Sequence, residues 1–192
     1  MKDTVFVFAR APRLGAVKRR LARDIGERAA LRFYRVTLAR TLRKLACDRR
    51  FLTVIAATPD RAVATRWPVK LPMVAQGAGD VGRRMDRATR RYPRGRVAVV
   101  GSDIPGLSAG DVARAFRMLG HAQACIAPAM DGGYWLVALS PRRPSRPFAN
   151  VRWSTEWALA DTLANFKGRT VAFGRTLRDV DTGADLAALR QP

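Results

Sequence analysis

Apolar positions along the chain follow two periods. Short runs rich in β-branched residues occur at Thr4–Ala9, Phe51–Ala57, Pro72–Ala75, Val97–Asp103 and Ala124–Ala127. Each has strand length and meets a Gly or Pro within three residues of its end. A sixth apolar run starts at Tyr134. Between the strands the spacing lengthens to that of helices. Glu27–Ala46 carries Ala30, Leu31, Phe33, Tyr34, Leu38, Leu42 and Leu45 at close to helical spacing, with arginines between them. Met85, Ala88 and Tyr92 mark another helix, and Ser108 with Asp111 caps one that runs to Leu119. Ser154 is the expected N-cap of a helix through Phe166, and Thr182 with Asp185 caps the last. Strands separated by helices predict an α/β fold.

Length sets the organisation. The 192 residues suffice for one domain, 1–192, with its own core. Pro141–Pro147 is the only linker-like stretch and is too short to divide it. Cys47 and Cys125 lie far apart in apolar segments and are expected as small core hydrophobes, which fits a reduced, cytoplasmic setting. The first strand begins at residue 4, too early for a signal peptide, and no apolar run approaches the roughly 20 residues of a bilayer span.

Charge alters this picture through its distribution. The formal net charge is +21, but residues 1–100 hold 25 Lys/Arg against 7 Asp/Glu and residues 101–192 hold 11 against 8. A basic first half favours phosphate. No ribonucleoprotein aromatic motif, zinc finger or Gly-rich basic tail accompanies it, so nucleic acid is not the expected partner. A non-catalytic module that binds polyanions or a protein partner is the alternative that would use this half alone.

Candidate chemistry sits at the strand ends. After the first strand, Ala9, Pro12, Gly15, Lys18 and Arg20 form a strand, turn-rich loop and helix start with the makings of an anion site. The Walker spacing is absent. Gln76–Met85 contains a literal G-x-G-x-x-G but follows the third strand rather than the first, so it reads as a glycine-lined approach to a base, not a dinucleotide fingerprint. Ser102 and Asp103 end a buried strand, at the edge where open α/β sheets bind ligands. Asp131-Gly132-Gly133-Tyr134 reads equally as a hairpin turn or a substrate-facing loop. Asp111 and Asp185 are assigned to capping, whereas Asp179 and Asp181 are not accounted for in that way. The single histidine, His121, follows Gly120 in a turn and is expected at the surface, so no Ser or Cys triad is available, and zinc spacing is missing too. Loop cations and well-separated aspartates suit a nucleotide diphosphate with Mg²⁺ or Mn²⁺.

Six ordered segments carry a resemblance: Phe8–Leu21, Gln76–Met85, Gly101–Leu107, Pro128–Tyr134, Trp153-Ser154 and Asp179–Thr182. Together they resemble a bacterial family of glycosyltransferase-like proteins in the nucleotide-diphospho-sugar transferase superfamily. That family is related to the 2-phospholactate guanylyltransferases, and some members are labelled arsenosugar-biosynthesis glycosyltransferases. The resemblance implies a three-layer α/β/α, Rossmann-like GT-A fold with a mixed, mostly parallel sheet. It implies a transferase of sugars or, alternatively, of nucleotides to a phosphorylated small molecule. Ala9, Pro12, Gly15, Lys18, Arg20, Gln76, Gly82 and Ser102 would then bind nucleotide, and Asp103 and Asp181 a divalent metal. Asp131 would serve catalysis with Asp103, while Gly132, Gly133, Tyr134 and Trp153 would face the acceptor or sugar. Pro105 stands where a D-x-D turn has its second acid, so Asp103 needs a partner from a distant strand.

Overall fold

A computed structural model of the chain describes residues 2–189. Its strands are β1 (Asp3–Arg10), β2 (Phe51–Thr58), β3 (Met73–Ala75), β4 (Val97–Gly101), β5 (Ala124–Pro128), β6 (Tyr134–Leu139) and β7 (Val171–Phe173). They form one sheet in the order β3-β2-β1-β4-β6-β5-β7. Every pairing is parallel except those of β6, which runs antiparallel to both β4 and β5. The helices are α1 (Arg19–Ile25), α2 (Glu27–Ala46), α3 (Val81–Arg90), α4 (Ala109–Met118), α5 (Ala158–Ala164) and α6 (Gly183–Ala188).

The period of two along β1 builds three layers. Val5, Val7 and Ala9 join the core formed with α2 and α4, while Phe6 packs with Met85 and Ala88 of α3 on the opposite face. Leu38, Leu42 and Leu45 of α2 are fully buried, as their spacing required. The α/β/α architecture expected from the family resemblance is therefore present. No helix among the described residues is long and apolar enough to cross a membrane.

Both expected capping boxes form, Ser108 with Asp111 at α4 and Thr182 with Asp185 at α6. Ser154, by contrast, is not an N-cap. It takes a left-handed backbone (φ 62°), and α5 starts at Ala158 without a side-chain cap and ends at Ala164. Cys47 is another departure: it follows the last turn of α2 and is exposed, whereas Cys125 in β5 is buried and its thiol is pushed up to about 11 by burial.

The topology also gathers the loops that carry the candidate site. Strands β1, β4 and β5 end at the same sheet edge, and the reversed β6 begins there. The segments after β1 and β4 and the β5–β6 turn are thereby collected on one side, as the rule for open α/β sheets requires.

Candidate active site

Lys18 is the centre of this edge. It stands just before α1 with φ 48° and ψ 50°, a left-handed conformation uncommon for a residue with a Cβ. Its ammonium donates to Asp181 Oδ1 at 2.7 Å and lies 2.6 Å from Asp103 Oδ2, with the lysine side chain only 4% exposed. Burial alone would depress the lysine, but the charges and hydrogen bonds of Asp103 and Asp181 outweigh it and hold the pKa above the ordinary value. Arg20 lies farther out, 3.8 Å from Asp181 Oδ2 and largely solvated. Tyr34 of α2 fastens the neighbouring loops. Its hydroxyl donates to the Arg10 carbonyl at 2.9 Å, accepts from the Arg10 amide at 3.0 Å and sits 3.3 Å from Ser102 Oγ.

Around this centre the cleft has two lobes. The first is lined by Ala9, Arg10, Lys18, Arg20, Gln76 and Ser102, with Asp181 beside them. Gln76 is held by donating from Nε2 to the Ala56 carbonyl at 2.8 Å. The second lobe contains Asp103, Asp131 and Asp179 among Met85, Tyr134 and Trp153. Phe8, Val81, Asp103 and Ser154 line both, so the lobes adjoin.

Several expected site residues stand elsewhere. Pro12 and Gly15 line neither lobe, and a Cβ on Gly15 would point towards Glu27. Gly82 lies beneath Trp153, where a Cβ would come within 2.7 Å of the indole. Gly132 is packed on the Glu156 backbone at φ 84°, and Gly133 lines the second lobe. The segment Asp131–Gly133 is both of the things its sequence allowed. It joins β5 to β6 as a hairpin, with the Gly133 amide donating to Asp131 Oδ1 at 2.9 Å, and it also forms cleft wall. Tyr134 presents its ring, since its hydroxyl accepts from Thr162 at 3.2 Å.

Asp179 and Ser154 line the cleft although sequence reasoning assigned neither of them a role in the site. Asp179 had one signal, an acid before a cap that the cap did not need. Burial first, then the charges of Asp131 and Asp181, push its carboxyl up to about 6, against the opposing pull of Lys18. The folded chain thus holds this proton more tightly than the unfolded chain, so the group costs stability as pH rises from about 4 to 6. Asp179→Asn should raise stability at pH 7 by about 1–2 kcal/mol, after discounting for solvent screening, with no gain at pH 4. Urea unfolding at the two pH values measures this.

Among the described residues, no three His, Cys, Asp or Glu side chains are grouped to hold a metal. Asp103 and Asp181 nevertheless converge on one point, and the Lys18 ammonium sits there. A hard divalent cation takes one or two carboxylates and completes its shell with phosphate oxygens and water. Asp103 and Asp181 are the residues that could hold such an ion in place of the ammonium.

The family described as "Uncharacterized protein conserved in bacteria (DUF2064)" matches residues 37–155. This chain belongs to that family. No curated protein matches it. Among solved structures, this DUF2064 chain is similar to a protein from Desulfovibrio desulfuricans G20 described provisionally as a nucleotide-diphospho-sugar transferase. The identity is 29% and the TM-score 0.90, over 100% of this chain and 87% of the other. More distant likenesses show the shared fold. One is Rv0371c of Mycobacterium tuberculosis H37Rv in complex with manganese, at 17% identity and TM-score 0.59 over 98% of each chain. Another is CMP:2-keto-3-deoxy-manno-octonic acid synthetase complexed with CTP, at 12% identity and TM-score 0.60 over 99% and 97%. The DUF2064 chain thus has the architecture of nucleotide-diphospho-sugar transferases and nucleotidyltransferases.

Proposed function

We propose that this protein is a metal-assisted transferase that binds a nucleotide diphosphate-sugar and passes the sugar to an acceptor. The observation that carries this reading is the pair of adjoining lobes, one cationic and one acidic, with Asp103 lining both. Lys18, displaced from the two carboxylates, and Arg20 bind the diphosphate and stabilise it as it leaves. Asp103 and Asp181 would hold Mg²⁺ or Mn²⁺, which would offset the charge of the diphosphate. Asp131 orients the acceptor hydroxyl and takes its proton as the new bond to the anomeric carbon forms and the bond to the diphosphate oxygen breaks.

The CTP complex of a protein with the same fold favours a second reading, in which a nucleoside triphosphate is joined to a small molecule with release of pyrophosphate. Detection of pyrophosphate separates the two. Thermal shift with UDP- and GDP-sugars, with and without Mn²⁺, tests the shared premise. A ligand at 100 times its Kd stabilises by about 2.7 kcal/mol, a rise of roughly 5–10 °C for a domain of this size. The rise is expected only with metal and nucleotide together, and Asp103→Ala should abolish it. No shift with any nucleotide would overturn the reading. Salt-steep binding to unrelated polyanions, unchanged by Asp103→Ala, would replace it with the non-catalytic module.

A further inference from the structure

The second lobe has a composition at odds with the rest of the molecule. The chain carries 36 Lys and Arg, yet among the described residues none of them lines this cavity, and neither does the single histidine. The charged groups that do line it are Asp103, Asp131 and Asp179, three carboxylates. The remaining surface is mostly apolar, with Phe8, Met85, Val137, Tyr134 and Trp153 contributing. The Trp153 ring meets Tyr134 and Phe148 at centroid distances of 6.3 and 6.5 Å and steep interplanar angles of 72° and 57°, edge-to-face and tilted contacts that brace it in the cleft wall. Large apolar side chains continue next to the lining residues, with Met130 61% and Trp157 49% exposed.

We infer that the second lobe is a subsite for an acceptor with an apolar, ring-bearing body and a neutral hydroxyl, and that it rejects acceptors carrying phosphate or carboxylate. The inference rests on the reading of the first lobe as the donor site. An anionic acceptor would have to leave water for a cavity lined by three carboxylates, of which, among the described residues, only Asp103 touches a cation, the Lys18 ammonium of the adjoining lobe at 2.6 Å. The nearest cations, Lys18 and Arg20, line the other lobe, where Asp103 and Asp181 and, on the donor-site reading, the donor diphosphate engage them. A ring stacked on Trp153 meets apolar wall and places its hydroxyl among acceptor-only carboxylate oxygens, which a neutral O–H donor satisfies. The same charge pattern disfavours transfer onto a phosphorylated small molecule, the acceptor of the second functional reading.

The test uses the whole protein with 13C-methyl methionine, in which Met85 reports the second lobe. The probes are 2-naphthol and 2-naphthyl phosphate, which share a ring system and differ in charge. Excess inorganic phosphate in both arms occupies cationic surface. 2-Naphthol is expected to shift the Met85 resonance with a Kd at least tenfold below that of the phosphate ester. Asp131→Asn, and separately Val81→Arg at the half-exposed mouth, should each narrow that ratio at least threefold. Equal or tighter binding of 2-naphthyl phosphate, or no response of Met85 to either probe, would overturn the inference. Thermal shift with UDP or GDP and Mn²⁺ on the same sample reads the first lobe separately. A null result there with the naphthol preference intact removes the donor assignment and leaves the selectivity of the second lobe standing.

Discussion

Lys18→Met is expected to lower stability at pH 7 by about 1–3 kcal/mol and to raise affinity for Mn²⁺ at least tenfold. Removing one partner of a fully buried ion pair costs about 3–5 kcal/mol. The figure is reduced here because Asp103 and Asp181 retain 33% and 41% side-chain exposure. In the variant the two carboxylates face each other with no cation between them, and like charges held together destabilise the fold only while both are ionised, so the penalty should shrink in acid and be full at neutral pH and above. The wild-type contribution has the opposite limit. Lys18 is raised, so its contribution is complete at neutral pH and is lost only on passing above its ordinary value of 10.5. Mn²⁺ gains because the ammonium no longer competes for the same oxygens, while a nucleotide diphosphate loses its most buried cation and should bind at least tenfold more weakly. Thermal unfolding across pH 4.5–8 with and without Mn²⁺ reads these effects. A pH profile identical to wild type would show that the ammonium does not neutralise the pair.

Gly132→Ala should lower the melting temperature by roughly 5–15 °C. The added Cβ would run into the backbone of Glu156, which cannot rotate away as a side chain would, and the glycine sits at φ 84°. Overpacking of about 1–3 kcal/mol adds to about 1–2 kcal/mol for the left-handed conformation, and a domain of this size loses about 2–4 °C per kcal/mol. The clash also separates two walls of the second lobe, because the Leu159 amide donates to the Gly132 carbonyl at 3.1 Å. Gly133→Ala is the control. Its Cβ would meet the side chain of Asp131 at 3.1 Å, a neighbour that can yield, so a shift of a few degrees is expected. Comparable losses in both variants would refute the assignment of the cost to the Glu156 contact.

What could be read from the amino acids was what depends on neighbours in sequence. The limits of α2 follow from apolar spacing alone, and both capping boxes follow from residue pairs three apart. Strand β7 escaped notice because Val171–Phe173 is a three-residue edge strand with no fully buried position. Ser154 looked like a cap by composition, but the chain at 153–158 is shaped by its packing on the β5–β6 turn, which local propensity does not encode. Asp103 was legible from its place at the end of a buried strand. The position of Lys18 between Asp103 and Asp181 was not, since it depends on a contact across 163 positions. Gly15 and Gly82 stand against Glu27 and Trp153 and line neither lobe, contacts that the local glycine pattern does not encode.

The contact between residues 18 and 181 also works as a clasp on the chain itself. Bringing together groups so far apart in sequence carries a loop-closure entropy that grows with the logarithm of the separation, and a single charged contact on this edge offsets part of it. Beyond it, the Gly183 amide donates to Asp24 at 2.7 Å, so the stretch around α6 is tied down by the segment around α1. Whatever replaces the ammonium on the two carboxylates therefore changes how firmly the last described turn of the protein is held. Occupancy of the cleft is expected to alter the hydrogen-exchange protection of α6.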